Sequence, residues 1–264
     1  MRAFLSLATG LWLQVMVSLF TLNAVMAEEV ESLQVEVLER HERKHVGFTQ
    51  GLFILNGKLY ESTGLYGESQ IRRMDLRTEE MELSKQLPDH IFAEGLAPVG
   101  EGQMVQLTWK AKTGIVYDRE ELNIVKVFKY DTEGWGIASN GAAGEQIVMS
   151  DGTATLRFLQ PGSYEVTHHI TVTRDGQPVD KLNELEWVDG YLYANVWMSN
   201  EILKIAPASG KVVATIDCTA LRPAGLRNPD AVLNGIAYDP SEQVFYITGK
   251  LWPVWYKVRF VPEG

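Results

Sequence analysis

The sequence predicts an all-β fold, a five-bladed β-propeller of four-stranded antiparallel blades, on three observations. Short apolar runs separated by turn residues fill the chain, and no helical period is sustained. Five similar stretches recur: Phe48-Thr49-Gln50-Gly51-Leu52, Phe92-Ala93-Glu94-Gly95-Leu96, Gly134-Trp135-Gly136-Ile137, Leu182-Asn183-Glu184-Leu185 and Leu233-Asn234-Gly235-Ile236. Their starting points, at 48, 92, 135, 183 and 234, lie 44, 43, 48 and 51 residues apart, and four-stranded blades repeat at roughly 40–50 residues. A sandwich or barrel would share the turns without needing the repetition.

Residues 1–27 are expected to form a signal peptide. Arg2 supplies the positive start, Ala3 to about Leu22 the apolar stretch, and Val25-Met26-Ala27 a small-residue cleavage site. The remainder, 28–264, is expected to be a single domain, periplasmic or secreted. The alternative is an uncleaved anchor, since about 20 apolar residues could span a bilayer. Gln14, Ser18, Thr21 and Asn23 interrupt that run.

Leu33–Leu38 alternates as a strand, with Leu33, Val35 and Val37 on one side. The charged stretch Glu39–His45 then reads as a loop. The first repeat crosses an Asn56-Gly57 hairpin turn into Lys58–Gly64, with Ile71–Leu76 and Met81–Leu87 as outer strands. The second turns at Gly100-Glu101-Gly102 into Met104–Trp109. The third turns at Asn140-Gly141 into Gln146–Ser150. The fourth turns at Asp189-Gly190 into Tyr191–Trp197. The fifth turns at Asp239-Pro240 into Val244–Lys250, and Trp255–Phe260 follows. The last unit lacks one strand. Leu33–Leu38 would complete it and close the ring, which removes an open edge.

In a propeller blade the first strand lines the central channel and the second runs antiparallel beside it. First-strand starts (Gln50, Glu94, Trp135, Asn183, Asn234) and second-strand ends (Gly64, Trp109, Asp151, Trp197, Lys250) should then share one mouth of the channel. The set holds an acid, a lysine, three amides and three tryptophans, a mixture suited to orienting a ligand between apolar walls. The plainer reading is that these residues plug the channel, with Glu94 and Lys250 as an ion pair.

Other chemistries find little support. The net charge of −10 argues against a nucleic-acid partner. There is no nucleophile elbow, Walker loop or dinucleotide fingerprint. The five histidines lack zinc spacing, and His168 and His169 alternate across a strand. One cysteine, Cys218, means no internal disulfide; it reads as a small buried hydrophobe. A monomer is expected. Oxygen donors from Glu94, Asn183, Asn234 and Asp151 could hold a hard cation such as calcium. A metal-dependent lactonase-type propeller hydrolase is therefore one alternative, and a non-enzymatic binding propeller is another.

The same motifs, with Tyr60-Glu61-Ser62-Thr63-Gly64, Gln106-Leu107-Thr108-Trp109-Lys110, Glu133-Gly134-Trp135-Gly136, Met149-Ser150-Asp151-Gly152-Thr153, Ala194-Asn195-Val196-Trp197 and Thr248-Gly249-Lys250-Leu251-Trp252-Pro253, resemble the plant and bacterial type of glutaminyl cyclase. They run in order over nearly the whole expected mature chain. Ala97 stands where that family more often has threonine. The resemblance implies a five-bladed propeller with its active site in the channel. It implies that Glu94 is the acid/base, and that Phe48, Gln50, Phe92, Trp109, Trp135, Asn183, Trp197 and Lys250 shape the site. The implied reaction closes an N-terminal glutamine of a peptide or protein to pyroglutamate and releases ammonia. Trp109, Trp135 and Trp197 would hold the folded glutamine, and Lys250, Gln50 and Asn183 are candidate donors to the oxyanion. Glu184 or Asp151 could instead recognise the substrate ammonium. No cofactor is required for this chemistry, although a structural divalent cation in the channel is compatible with it.

Overall fold

The structure, a computed structural model, describes residues 29–141 and 145–263. The expected signal peptide lies outside these residues. The fold is all-β, with one 3₁₀ turn, Thr219–Leu221, as its only helix among the described residues.

Strand β1 is Glu31–Glu42. An antiparallel sheet follows from β2 (Thr49–Leu55), β3 (Lys58–Thr63), β4 (Gln70–Asp75) and β5 (Met81–Gln86). A second holds β6 (Ala93–Val99), β7 (Gln103–Thr108), β8 (Thr113–Asp118) and β9 (Ile124–Lys129). A third holds β10 (Ile137–Ser139), β11 (Ile147–Met149), β12 (Thr155–Leu159) and β13 (Val166–Thr171). A two-stranded hairpin, β14 (Thr173–Arg174) and β15 (Gln177–Pro178), comes next. Then β16 (Leu182–Val188), β17 (Tyr191–Val196), β18 (Glu201–Ile205), β19 (Val212–Asp217), β20 (Leu233–Asp239), β21 (Val244–Gly249) and β22 (Val254–Pro262) join with β1 in one eight-stranded sheet.

Local chemistry explains the hairpins. Asn56 and Gly57 take φ of 52° and 71°, and Asp189 and Gly190 take 48° and 82°. Both pairs thus have the positive-φ backbone of a type I′ turn, whose twist matches that of the flanking strands.

The first strands of the units, β2, β6, β10, β16 and β20, pack side by side in a closed cycle. Two glycines show how tight that cycle is. A Cβ on Gly51 would lie 2.3 Å from the Leu96 nitrogen, and one on Gly136 only 2.0 Å from the Asn183 oxygen. In the fourth repeat Glu184 occupies the glycine position. It is buried, and its carboxylate accepts backbone N–H groups of Ile236 (2.9 Å) and Leu52 (3.3 Å), tying β16 to β20 and β2.

Apolar cores lie between successive sheets. Ala97, Val105 and Leu107 meet Ile137, Ile147 and Met149, while Ala138 and Val148 meet Leu182, Leu192 and Ala194. Each large aliphatic side chain buried in this way stabilises the fold by about 1.5–3 kcal/mol. Cys218 is buried in the core around β20–β22, and burial pushes its thiol pKa up.

Strand β1 departs from expectation in three ways. It continues through Glu42 where a loop was expected, pairing Arg40, His41 and Glu42 with Tyr256, Trp255 and Val254. Val37 keeps the register of Leu33 and Val35, opposite Val258, yet is 46% exposed, and the register shifts just after it, between Val37 and Glu39. Besides its antiparallel pairing with β22, β1 lies parallel to β19 through Glu31–Gln34, which fuses the fourth and fifth units into one sheet. An outer strand has a wet face, so charged residues there do not signal a loop.

Candidate active site

Register shifts place the site residues. The ladders slip between Thr49 and Gly51, Ala93 and Leu96, Leu182 and Leu185, and Leu233 and Ile236. The residues skipped include Gln50, Glu94, Asn183 and Asn234. A bulge frees a residue from the ladder and re-aims its side chain. At the second-strand ends, one backbone bond recurs. Gly64 donates to Phe48 (2.8 Å), Trp109 to Phe92 (3.0 Å), Trp197 to Lys181 (2.8 Å) and Lys250 to Val232 (2.9 Å).

These ends and starts enclose a cavity of about 250 Å³. All nine residues expected to form the site line it: Glu94, Lys250, Asn183 and Gln50, with Trp109, Trp135, Trp197, Phe48 and Phe92. Leu65 and Asp230 complete the lining and were not anticipated. Larger hollows of about 530 and 580 Å³ lie elsewhere, and neither contains any of the nine.

Three of the ten expected mouth positions do not line the cavity. Asp151 is turned aside by Arg157 (2.6 Å) and by the Thr153 hydroxyl (2.6 Å). Asn234 lies beneath the cavity, donating to the Thr49 carbonyl (2.9 Å) and Gln50 Oε1 (3.3 Å). Gly64 backs Phe92: a Cβ there would sit 2.4 Å from the Phe92 ring. Neither Asp151 nor Glu184, the other candidate ammonium receptors, lines the cavity. Of the expected oxygen set for a cation, Glu94 and Asn183 line the cavity, whereas Asp151 and Asn234 do not. Among the described residues no group of three or more His, Cys, Asp or Glu side chains is placed to hold a metal.

The aromatic walls meet edge to face. Phe92 contacts Phe48 (6.1 Å between centroids), Tyr66 (5.4 Å) and Trp109 (5.5 Å), and Trp135 meets Trp197 at 5.6 Å and 88°. Glu133, just before Trp135, accepts the indole N–H groups of both Trp109 and Trp135.

Glu94 lines this enclosure and is buried. Desolvation pushes its carboxyl well above the usual carboxylate range. Lys250 opposes that shift and the Glu133 charge adds to it. Burial likewise lowers the Lys250 ammonium, against the pull of Glu94 and Asp230. No direct ion pair joins Glu94 to Lys250 among the described residues; the ammonium instead lies 5.0 Å from the centre of the Phe48 ring. Among the described residues Asn183 Oδ1 and Asn234 Oδ1 are buried without a hydrogen-bond partner. The arrangement combines a proton carrier, a cationic donor and amide groups between flat apolar walls.

An all-β, propeller-like chain with a buried glutamate and a lysine in an aromatic cavity has the makings of an acid/base enzyme. The chain belongs to the glutamine cyclotransferase family, whose model matches residues 11–260. It is similar to a glutaminyl-peptide cyclotransferase of Arabidopsis thaliana, 40% identical over 232 residues that make up 86% of this chain and 71% of that protein. Among solved structures it is similar to the glutaminyl cyclase of Myxococcus xanthus, with a TM-score of 0.81 and 34% identity over 89% of this chain and 100% of that one.

Proposed function

We propose that this protein is a glutaminyl-peptide cyclotransferase built as a five-bladed β-propeller, closing N-terminal glutamine to pyroglutamate with release of ammonia. The observation that carries the reading is the buried acid Glu94 facing Lys250 between Trp109, Trp135 and Trp197, in a chain of this family. The closed cycle of five first strands supports the blade count, and the pairing of β1 with β22 supports ring closure through the N-terminal strand.

The glutamine side chain folds back in the aromatic slot so that its α-amine meets its γ-carbonyl carbon, an orientation worth several orders of magnitude in rate. The amine nitrogen bonds to that carbon. Glu94 takes a proton from the attacking nitrogen and passes it to the departing amide nitrogen, which leaves as ammonia when the C–N bond breaks. A carboxyl held above its usual range is suited to both transfers near neutral pH. Lys250, with Gln50 and Asn183 at hand, stabilises the negative charge that develops on the carbonyl oxygen. Phe48 and Phe92 exclude water from the slot. The step needs neither an enzyme nucleophile nor a cofactor. The enzyme acts as a monomer, and residues 1–27 direct its export to the periplasm or beyond.

The test is incubation of the protein with a Gln-initiated peptide, read by mass spectrometry for loss of one ammonia. An unchanged peptide would overturn the proposal. Activity lost on chelation and restored by calcium would instead point to metal-assisted chemistry.

A further inference from the structure

The cavity wall is two aromatic arcs. One runs Phe48–Phe92–Trp109, the other Trp135–Trp197, each joined internally by edge-to-face contacts. Trp109 follows β7 and Trp135 precedes β10, so the arcs come from neighbouring sheets. Among the described residues no ring contact links Trp109 to Trp135. One atom links them: Glu133 Oε2 accepts Trp109 Nε1–H at 2.6 Å and Trp135 Nε1–H at 3.1 Å.

We infer that Glu133 is the positioning residue that fixes the two arcs at the spacing of one glutamine side chain. The inference rests on the reading that this cavity is the cyclisation site. The backbone around Glu133 is itself held in place. The Thr132 hydroxyl donates to the Glu133 carbonyl (2.9 Å), and the Gly134 N–H donates to the Trp109 carbonyl (3.4 Å). Gly134 leaves no room for a side chain, since a Cβ would meet the Tyr130 hydroxyl at 2.3 Å. Tyr130 in turn bonds the backbone of Thr108, next to Trp109. Loop and strand end are therefore tied at both backbone and side chain. A carboxylate suits the junction because one charged oxygen can accept two N–H donors at once, and charged acceptors make the stronger bonds. The same charge acts on Glu94, opposing its ionisation after burial has already done so. The geometry thus gives Glu133 two effects, width of the slot and protonation of the acid, which can be separated.

Glu133→Ala removes both effects, whereas Glu133→Gln keeps an acceptor oxygen and removes the charge. For a Gln-initiated peptide, Glu133→Ala is expected to raise KM about tenfold or more, the scale of losing hydrogen bonds to a charged acceptor. Its near-UV circular dichroism, which reports the setting of the tryptophans, should change. Glu133→Gln is expected to restore KM and the spectrum toward wild type while moving the Glu94-dependent limb of the pH–rate profile to lower pH. Wild-type KM, spectrum and pH profile in both variants would overturn the inference, as would an equal rise of KM in both. An inactive wild-type protein would sink the proposed reaction instead, and the spectra would still test the clamp.

Discussion

Arg43 Nη2 donates to Glu61 Oε1 at 2.6 Å, with both side chains closed off from solvent. The guanidinium also reaches Thr49 Oγ1 (3.1 Å) and the carbonyl of His45 (3.1 Å), and lies 3.9 Å from the centre of the Trp255 ring. It thereby anchors the stretch that delivers Phe48 and Gln50 to the cavity. Breaking a buried pair by deleting one partner costs about 3–5 kcal/mol. Arg43→Ala is expected to destabilise the fold by about that amount, measured by urea unfolding. A loss below about 1 kcal/mol would show the pair to be replaceable by Arg72, the other base near Glu61.

Glu94→Gln keeps the size of the side chain and removes the proton shuttle. Turnover is expected to fall by about 10²–10⁴, while the unfolding midpoint stays the same or rises, because a buried carboxyl has been neutralised. Peptide affinity, read from quenching of tryptophan fluorescence, should persist. Near-normal turnover would remove Glu94 from the mechanism.

Gly64→Ala tests the support behind Phe92. Gly64 does not adopt a positive φ, so the added methyl brings crowding and not backbone strain. It would come 2.4 Å from Phe92 and 3.0 Å from the Gln50 side chain. Overpacking of this kind costs about 1–3 kcal/mol. The Phe92 ring is expected to move into the cavity, raising KM more than it changes stability. Unaltered kinetics would mean that Phe92 does not bound the substrate.

A further pair of acids makes stability depend on pH. Burial raises the Glu184 carboxyl well above its ordinary value and brings Glu186 up to about 8, although Glu186 accepts the Tyr238 N–H at 3.0 Å. The sign follows from linkage. Between pH 4.5 and about 8 the unfolded chain releases the Glu186 proton and the folded chain keeps it, so stability falls as pH rises through that window. Glu186→Gln, which keeps an acceptor for Tyr238, is expected to raise the melting temperature at pH 8 and leave it nearly unchanged at pH 4. An equal shift at both pH values would contradict this origin.

Much of this architecture is legible in the sequence because its signals are local. Asn56-Gly57 and Asp189-Gly190 specify their turns by backbone conformation alone. The repeat then places Gln50, Glu94 and Asn183 at equivalent starts, and all three face one cavity. Where the reading fails, contacts that no repeat marks decide. Asp151 holds a repeat position but is captured by Arg157. Val37 keeps the alternation of a strand, opposite Val258, but is left exposed. Asp230 and Leu65 stand in connections, where no period marks them. Glu133 was available as an acid two residues before Trp135, yet its bond to Trp109, 24 residues away in sequence, depends on tertiary structure.

Strand β1 pairs with β22, so the first described strand finds its partner in the last. A chain made from its N-terminus holds β1 without that neighbour until residues 254–262 exist. The middle sheets, whose strands are close in sequence, can form earlier. Closing the longest loop comes last and is entropically the most demanding contact. Until then β1 has only its short parallel pairing with β19, and its other edge is free, the state in which β-proteins are most exposed to wrong partners. The pairing that holds the finished molecule shut is thus also what makes its assembly wait for the end of the chain.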